Sequence, residues 1–125
     1  MTTQEVANKL VEYCRKGDFK ACYDELYAQD AWSLEPRHSK TPPVQGMEAF
    51  AEKGKKWNEA IETFHGAEIT EPVVAGDLFS IGMTMEITYK GAPGPMKDHE
   101  ICMYEVKYGK IVKEQFFYPA PPEQG

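Results

Sequence analysis

The most regular pattern along the chain is the alternation between residues 79 and 87, where Phe79, Ile81, Met83, Met85 and Ile87 interleave with Ser80, Gly82, Thr84 and Glu86. A period of two predicts a strand with one buried face. Two prolines and two glycines in Lys90-Gly91-Ala92-Pro93-Gly94-Pro95 then predict a turn. A second reversal is expected at Lys107-Tyr108-Gly109-Lys110, between the β-rich runs 99–106 and 111–118. The three strands form an antiparallel meander. Upstream the period changes to that of a helix. Val6, Leu10, Tyr13 and Cys14 predict a first helix opening at a Thr2/Glu5 capping box, and Gly17-Asp18 closes it and caps a second with the stripe Phe19, Cys22, Tyr23, Leu26 and Tyr27. Residues 31–35 read as a short strand closed by Pro36, and residues 37–45 as a loop. A third helix carries Met47, Phe50, Ala51, Gly54, Trp57 and Ile61 on one face, and the chain is extended again from Ala67 to Val74.

Composition narrows the partners. The 125 residues suit one domain, 1–125, with a Pro-rich tail from about residue 120 that is expected to fray. A formal charge of -6 spread along the chain argues against a nucleic-acid or anionic-membrane surface. The one basic cluster, Lys53, Lys55 and Lys56, reads as a solvated helix face. No basic leader with an apolar run opens the sequence and no stretch reaches membrane-spanning length. Cys14, Cys22 and Cys102 form no CxxC pair and suggest free thiols in a reducing cytoplasm.

Little in the sequence carries familiar site chemistry. GxGxxG, P-loop and GxSxG patterns are absent, and His38, His65 and His99 lack the spacing of metal ligands, so no metal is expected. What remains is acid–base chemistry. In the last two strands Glu100 shares a face with Cys102, Tyr104 and Val106, and Glu114 with Val112, Phe116 and Tyr118. Such faces suit either a pocket wall or a sheet margin open to water. Glu35, Glu100 and Glu114 are the carboxylates that can look inward, with Tyr13, Tyr104 and Tyr118 as hydroxyl donors. Each glutamate has the alternative of reaching water or pairing with a lysine. A carboxyl buried among Trp, Phe and Met holds its proton to higher pH, as a general acid or base near neutrality requires.

The order helix, helix, short strand ending in Glu35-Pro36, helix and long meander resembles the NTF2-like superfamily, and within it the SnoaL-like polyketide cyclases and ketosteroid isomerases. The resemblance is carried by Gly17-Asp18-Phe19, residues 26–31, Leu34-Glu35-Pro36, residues 45–50, Gly76-Asp77-Leu78-Phe79 and Gly109-Lys110-Ile111. It implies an α+β cone in which a curved antiparallel sheet wraps around three helices and holds a small, largely apolar molecule at its mouth, without a cofactor. The isomerases place their base at the end of the first strand before a proline, which Glu35 matches. Their tyrosine on the first helix falls near Val11, with Tyr13 close by, and their second acid near Cys102. The expected catalytic set is therefore Glu35, Tyr104, Tyr118 and Tyr13, within a pocket of Trp32, Trp57, Met83, Met85, Glu100, Cys102, Glu114 and Phe116. Two functions fit: proton transfer beside a carbonyl, or ligand binding without turnover. Ile101, Met103 and Phe117 should lie on the outer sheet face, where a homodimer is expected.

Overall fold

The computed structural model describes residues 1–120. Helix α1 spans Thr3–Arg15, and the predicted capping box is present: Glu5 N–H donates to Thr2 Oγ1 while Thr2 N–H donates to Glu5 Oε1. Gly17, at φ 70°, turns the chain, and the Asp18 carboxylate accepts from Ala21 N–H to start α2, Phe19–Leu26. The helix stops one residue before the predicted stripe ends. Tyr27 is already extended (φ -98°, ψ 142°) and begins β1, Tyr27–Leu34. A two-residue strand β2, Val44–Gln45, lies in the expected loop and pairs antiparallel with β1. Gly46, at φ 93°, then admits a conformation that a side chain would resist, and α3 follows over Met47–Ala60. Ile61 belongs to the next strand, β3, Ile61–Ile69, which therefore begins earlier than periodicity suggested.

Strands β4 (Val73–Ala75), β5 (Leu78–Tyr89), β6 (Met96–Lys107) and β7 (Lys110–Phe117) complete one seven-stranded sheet, in the order β2-β1-β7-β6-β5-β3 with β4 on β5. The predicted meander is β5-β6-β7, antiparallel throughout. Its second turn uses positive φ at both Tyr108 (52°) and Gly109 (73°), the geometry that matches the twist of a two-residue hairpin. The remaining pairing, β1 with β7, is parallel and joins the start of the sheet to its last strand.

The sheet is curved, and all three helices pack on one face of it. The inward positions of β5 are the predicted alternating set, all buried. Together with Val6, Leu10, Leu26, Val106 and Ile111 they form a dry core. In β7 the alternation slips. Glu105 faces Lys113 and Val106 faces Ile111, leaving Val112 as an extra residue. Ile111 and Glu114 thus both point inward although three residues apart, and Val112, expected beside Glu114, is only half-buried. On the outer face Ile101 (57 % exposed), Phe117 and Met103 stand open, joined by Trp32.

Candidate functional site

Strands β1 and β7 run side by side, so residues alternating inward at their C-terminal ends converge with one face of α3 and the middle of β6. On β1 the inward residues are Ala31 and Ser33, both fully buried, and Glu35 just beyond the strand, whose side chain is 13 % exposed. On β7 they are Glu114 and Phe116, then Tyr118 past its end. Helix α3 contributes Lys53, on the same face as Phe50 and Trp57.

Glu35 has both oxygens occupied. Lys53 Nζ lies 2.8 Å from Oε1 and the Tyr118 hydroxyl donates to Oε2 at 3.0 Å. Lys53 Nζ also donates to Ser33 Oγ at 2.9 Å and stands 5.4 Å from the centre of the Phe116 ring. Ser33 in turn donates to Glu114 Oε2 at 2.6 Å, and the Tyr27 hydroxyl donates to Glu114 Oε1. A continuous chain of polar contacts therefore leads from the half-buried Tyr118, against which the His38 ring packs edge-on, to a carboxyl deep in the fold. Burial pushes the Glu114 carboxyl up, while the Ser33 and Tyr27 hydrogen bonds and the Lys53 charge oppose it.

Glu100 is a second carboxyl held above its ordinary value. It sits on β6 opposite Met83, two residues before Cys102, which pairs with Phe116. Burial first, then the nearby negative charges of Glu35 and Asp98, push it up to about 7. The Cys102 thiol lies 3.9 Å from its Oε2, and burial followed by the Glu100 charge push that thiol up, so it stays neutral. Burial raises the Tyr118 hydroxyl to about 12, leaving it a donor at physiological pH. The arrangement can hold a proton on one carboxyl while another accepts one, without a metal: among the described residues no group of three or more His, Cys, Asp or Glu could hold an ion.

The model of the SnoaL-like domain matches residues 1–118. The chain belongs to the SnoaL-like family. A Mesorhizobium loti protein proposed to be a SnoaL-like polyketide cyclase is 31 % identical, aligning over 94 % of this chain and 100 % of its own with a TM-score of 0.87. A Catenulispora acidiphila protein of ketosteroid isomerase-like fold, solved with trimethylamine, shares 21 % identity over 91 % of this chain and 85 % of its own, TM-score 0.73. IdmH from Streptomyces antibioticus, proposed to be a polyketide cyclase, shares 21 % over 94 % and 91 %, TM-score 0.69. No curated protein matches. The latter two likenesses show the shared fold alone, and an NTF2-like protein from Burkholderia pseudomallei has the same fold at 12 % identity and a TM-score of 0.77.

Within this SnoaL-like fold the expected residues separate. Glu35, Tyr118, Glu100, Cys102, Glu114 and Phe116 are brought together. Met83 and Met85 are buried on the adjoining strand, and Trp57 packs edge-on against Phe64. Trp32 does not line the site: it is 41 % exposed on the outer face, because Ser33 and Glu35 take the inward parity of β1. Tyr13 is also elsewhere. Its hydroxyl donates to Glu25, whose carbonyl accepts from Lys110 at 2.7 Å, which places it at the start of β7, a full strand away from Tyr118. Tyr104 faces Glu114 across the β6–β7 ladder but is 3 % exposed and stacked on Phe79, ring centres 4.8 Å apart, so it supports the floor and does not reach the mouth.

Three contributors escaped sequence reading. Lys53 was assigned with Lys55 and Lys56 to a solvated face, yet its side chain is 24 % exposed and turned inward. Its spacing from Phe50 and Trp57 was the available signal. Ser33 shares parity with Glu35, and Tyr27 was assigned to α2. Two clefts are present, and the second shares Met83 and Glu100 with this cluster. One of about 360 Å³ is bordered by α1 and Glu71, and one of about 300 Å³ by Thr70, Gly82, Thr84 and His99, with Glu100 at its edge.

Proposed function

We propose that the chain takes a small, largely apolar carbonyl compound at the mouth of the cone and moves a proton beside the carbonyl by cofactor-free acid–base chemistry of the isomerase or cyclase type, with Glu35 as the base. The supporting observation is the pairing of Glu35 with Glu100: two inward carboxyls, the second pushed to about 7 by burial and by the first. Carboxyls whose environments differ in this way divide the roles of proton acceptor and proton holder. The Mesorhizobium loti relative, proposed to be a polyketide cyclase, supports the same reaction class. Glu35→Gln keeps the shape and removes the base. Across a panel of enolisable ketones and esters it should abolish turnover that the wild type shows and leave binding nearly unchanged; equal turnover sinks the mechanism.

A second reading, ligand binding without turnover, is favoured by a specific feature: both Glu35 oxygens are already engaged, by Lys53 and Tyr118. Failure of every carbonyl in the panel, with retained binding, selects it. Under either reading the exposed row of Ile101, Phe117, Met103 and Trp32 is suited to a second copy of the chain, sheet against sheet. Light scattering at micromolar concentration should give twice the chain mass, and Ile101→Lys should halve it.

A further inference from the structure

We propose that Lys53 is a catalytic residue of this site, the group that receives the negative charge on the substrate oxygen when Glu35 takes the proton. The inference rests on the acid–base reading above and deepens it. A proton acceptor is only half of such a reaction, because the charge it displaces must be met by a donor near the carbonyl oxygen. Other positions close to the site are unsuited. Cys102 is fully buried with a neutral thiol, Tyr104 is packed under the floor and Tyr118 already donates to Glu35. Lys53 differs from all of these. An ammonium has three N–H donors; one is committed to Ser33 Oγ at 2.9 Å, and Glu35 Oε1 lies 2.8 Å away as an ion-pair partner. No further hydrogen-bond acceptor meets the head group among the described residues, and it lies near the Phe116 ring on a side chain that remains partly open to solvent.

The charge balance follows directly. The Glu35 carboxylate removes a proton from the carbon next to the carbonyl; the C–H pair becomes the C=C bond and the carbonyl π pair moves onto oxygen, giving an enolate. Glu35 becomes neutral as the oxygen becomes negative. The Lys53 ammonium, previously paired with Glu35, turns its interaction to the enolate and loses no proton, so one cation is matched by one anion before and after the step. Return of the proton from Glu35 to carbon restores the original pair.

Glu35→Gln reproduces the charge state of the second half of this exchange, so the test uses para-nitrophenol, whose phenolate resembles an enolate and is visible by absorbance. The Glu35→Gln variant should bind the phenolate form, and more tightly than wild type, where Glu35 still holds the ammonium. Adding Lys53→Met should weaken phenolate binding about tenfold or more, and adding Lys53→Arg should restore part of it. The methyl ether of the dye, which has no ionisable oxygen, should bind equally in all variants. Absence of phenolate binding in Glu35→Gln, equal phenolate binding after Lys53→Met, or parallel loss of phenolate and ether would overturn the proposal. These readouts involve no turnover, so an enzyme that fails every carbonyl in the panel while showing Lys53-dependent phenolate binding would lose the acid–base reading and keep the anion contact.

Discussion

The two ends of the sheet's inner face are held by different forces, the first closed to water and the second partly open to it. Near the start of β7, Ile111 belongs to the buried apolar cluster that includes Val106, Leu10 and Leu26. Within three residues the same strand reaches Glu114, then Phe116 and Tyr118, and cohesion passes to hydrogen bonds and the Lys53–Glu35 pair. Area buried stabilises the first end, at about 25 cal/mol per Å² of apolar surface. The second end gains much less net energy, since ionised groups give up hydration to be there. The division teaches that the dry end carries the fold and the polar end is free to carry chemistry.

Three substitutions would break or sharpen that division. Leu26→Ala, at the dry end, should cost about 2–5 kcal/mol in denaturant unfolding and leave ligand affinity unchanged in whatever fraction stays folded. A loss below about 1 kcal/mol would mean the dry end is not the support assigned to it. Glu100→Gln tests the polar end through pH. Its carboxyl is raised from 4.5 to about 7 in the folded chain, so between those values the unfolded chain releases its proton first and stability falls as pH rises, levelling above about 7. The variant cannot ionise. It should match wild type below about pH 4.5 and exceed it by up to about 3 kcal/mol above pH 7, and parallel stability curves would remove Glu100 as the tuned group. Ser33→Ala takes a donor from Glu114 and an acceptor from Lys53, and should cost about 1–2 kcal/mol. The loss should grow as pH rises through the range in which Glu114 ionises in the folded chain, because the missing bond had favoured its ionised form.

Most of the fold was legible because it rests on repetition. Residues 79–87 alternate without exception, the Thr2/Glu5 pair has only one sensible partner geometry, and Tyr108-Gly109 sits between two β-rich runs. The helix ends were harder, since α2 and α3 pass straight into strands at Tyr27 and Ile61 with no glycine to mark the exit. For the site, parity decided what could be read. Glu100, Glu114 and Phe116 followed from strand alternation, and Glu35 from its place at a strand end before Pro36. Trp32 was misplaced by its nearness in sequence to Glu35, although an interval of three residues puts the two on opposite faces. Lys53 was hidden by its company: among three lysines in four positions, only helical phase relative to Phe50 and Trp57 singles it out. Ser33 has no signal of its own, because a small polar residue in a strand becomes informative only once its neighbours across β7 and α3 are known.

The parallel pairing of β1 with β7 has a consequence for the order in which the molecule is made. Ser33 meets Glu114 at a sequence separation of 81, Glu35 meets Tyr118 at 83, and Tyr27 meets Glu114 at 87. A chain emerging from the ribosome can form its helical hairpin and most of the meander while β1 still waits for its neighbour. Contacts of such long span close late, after the loop entropy has been met by everything in between. Until Tyr118 has left the exit tunnel, Glu35 has Lys53 beside it but lacks its second partner, so maturation of the site and completion of the sheet are one event.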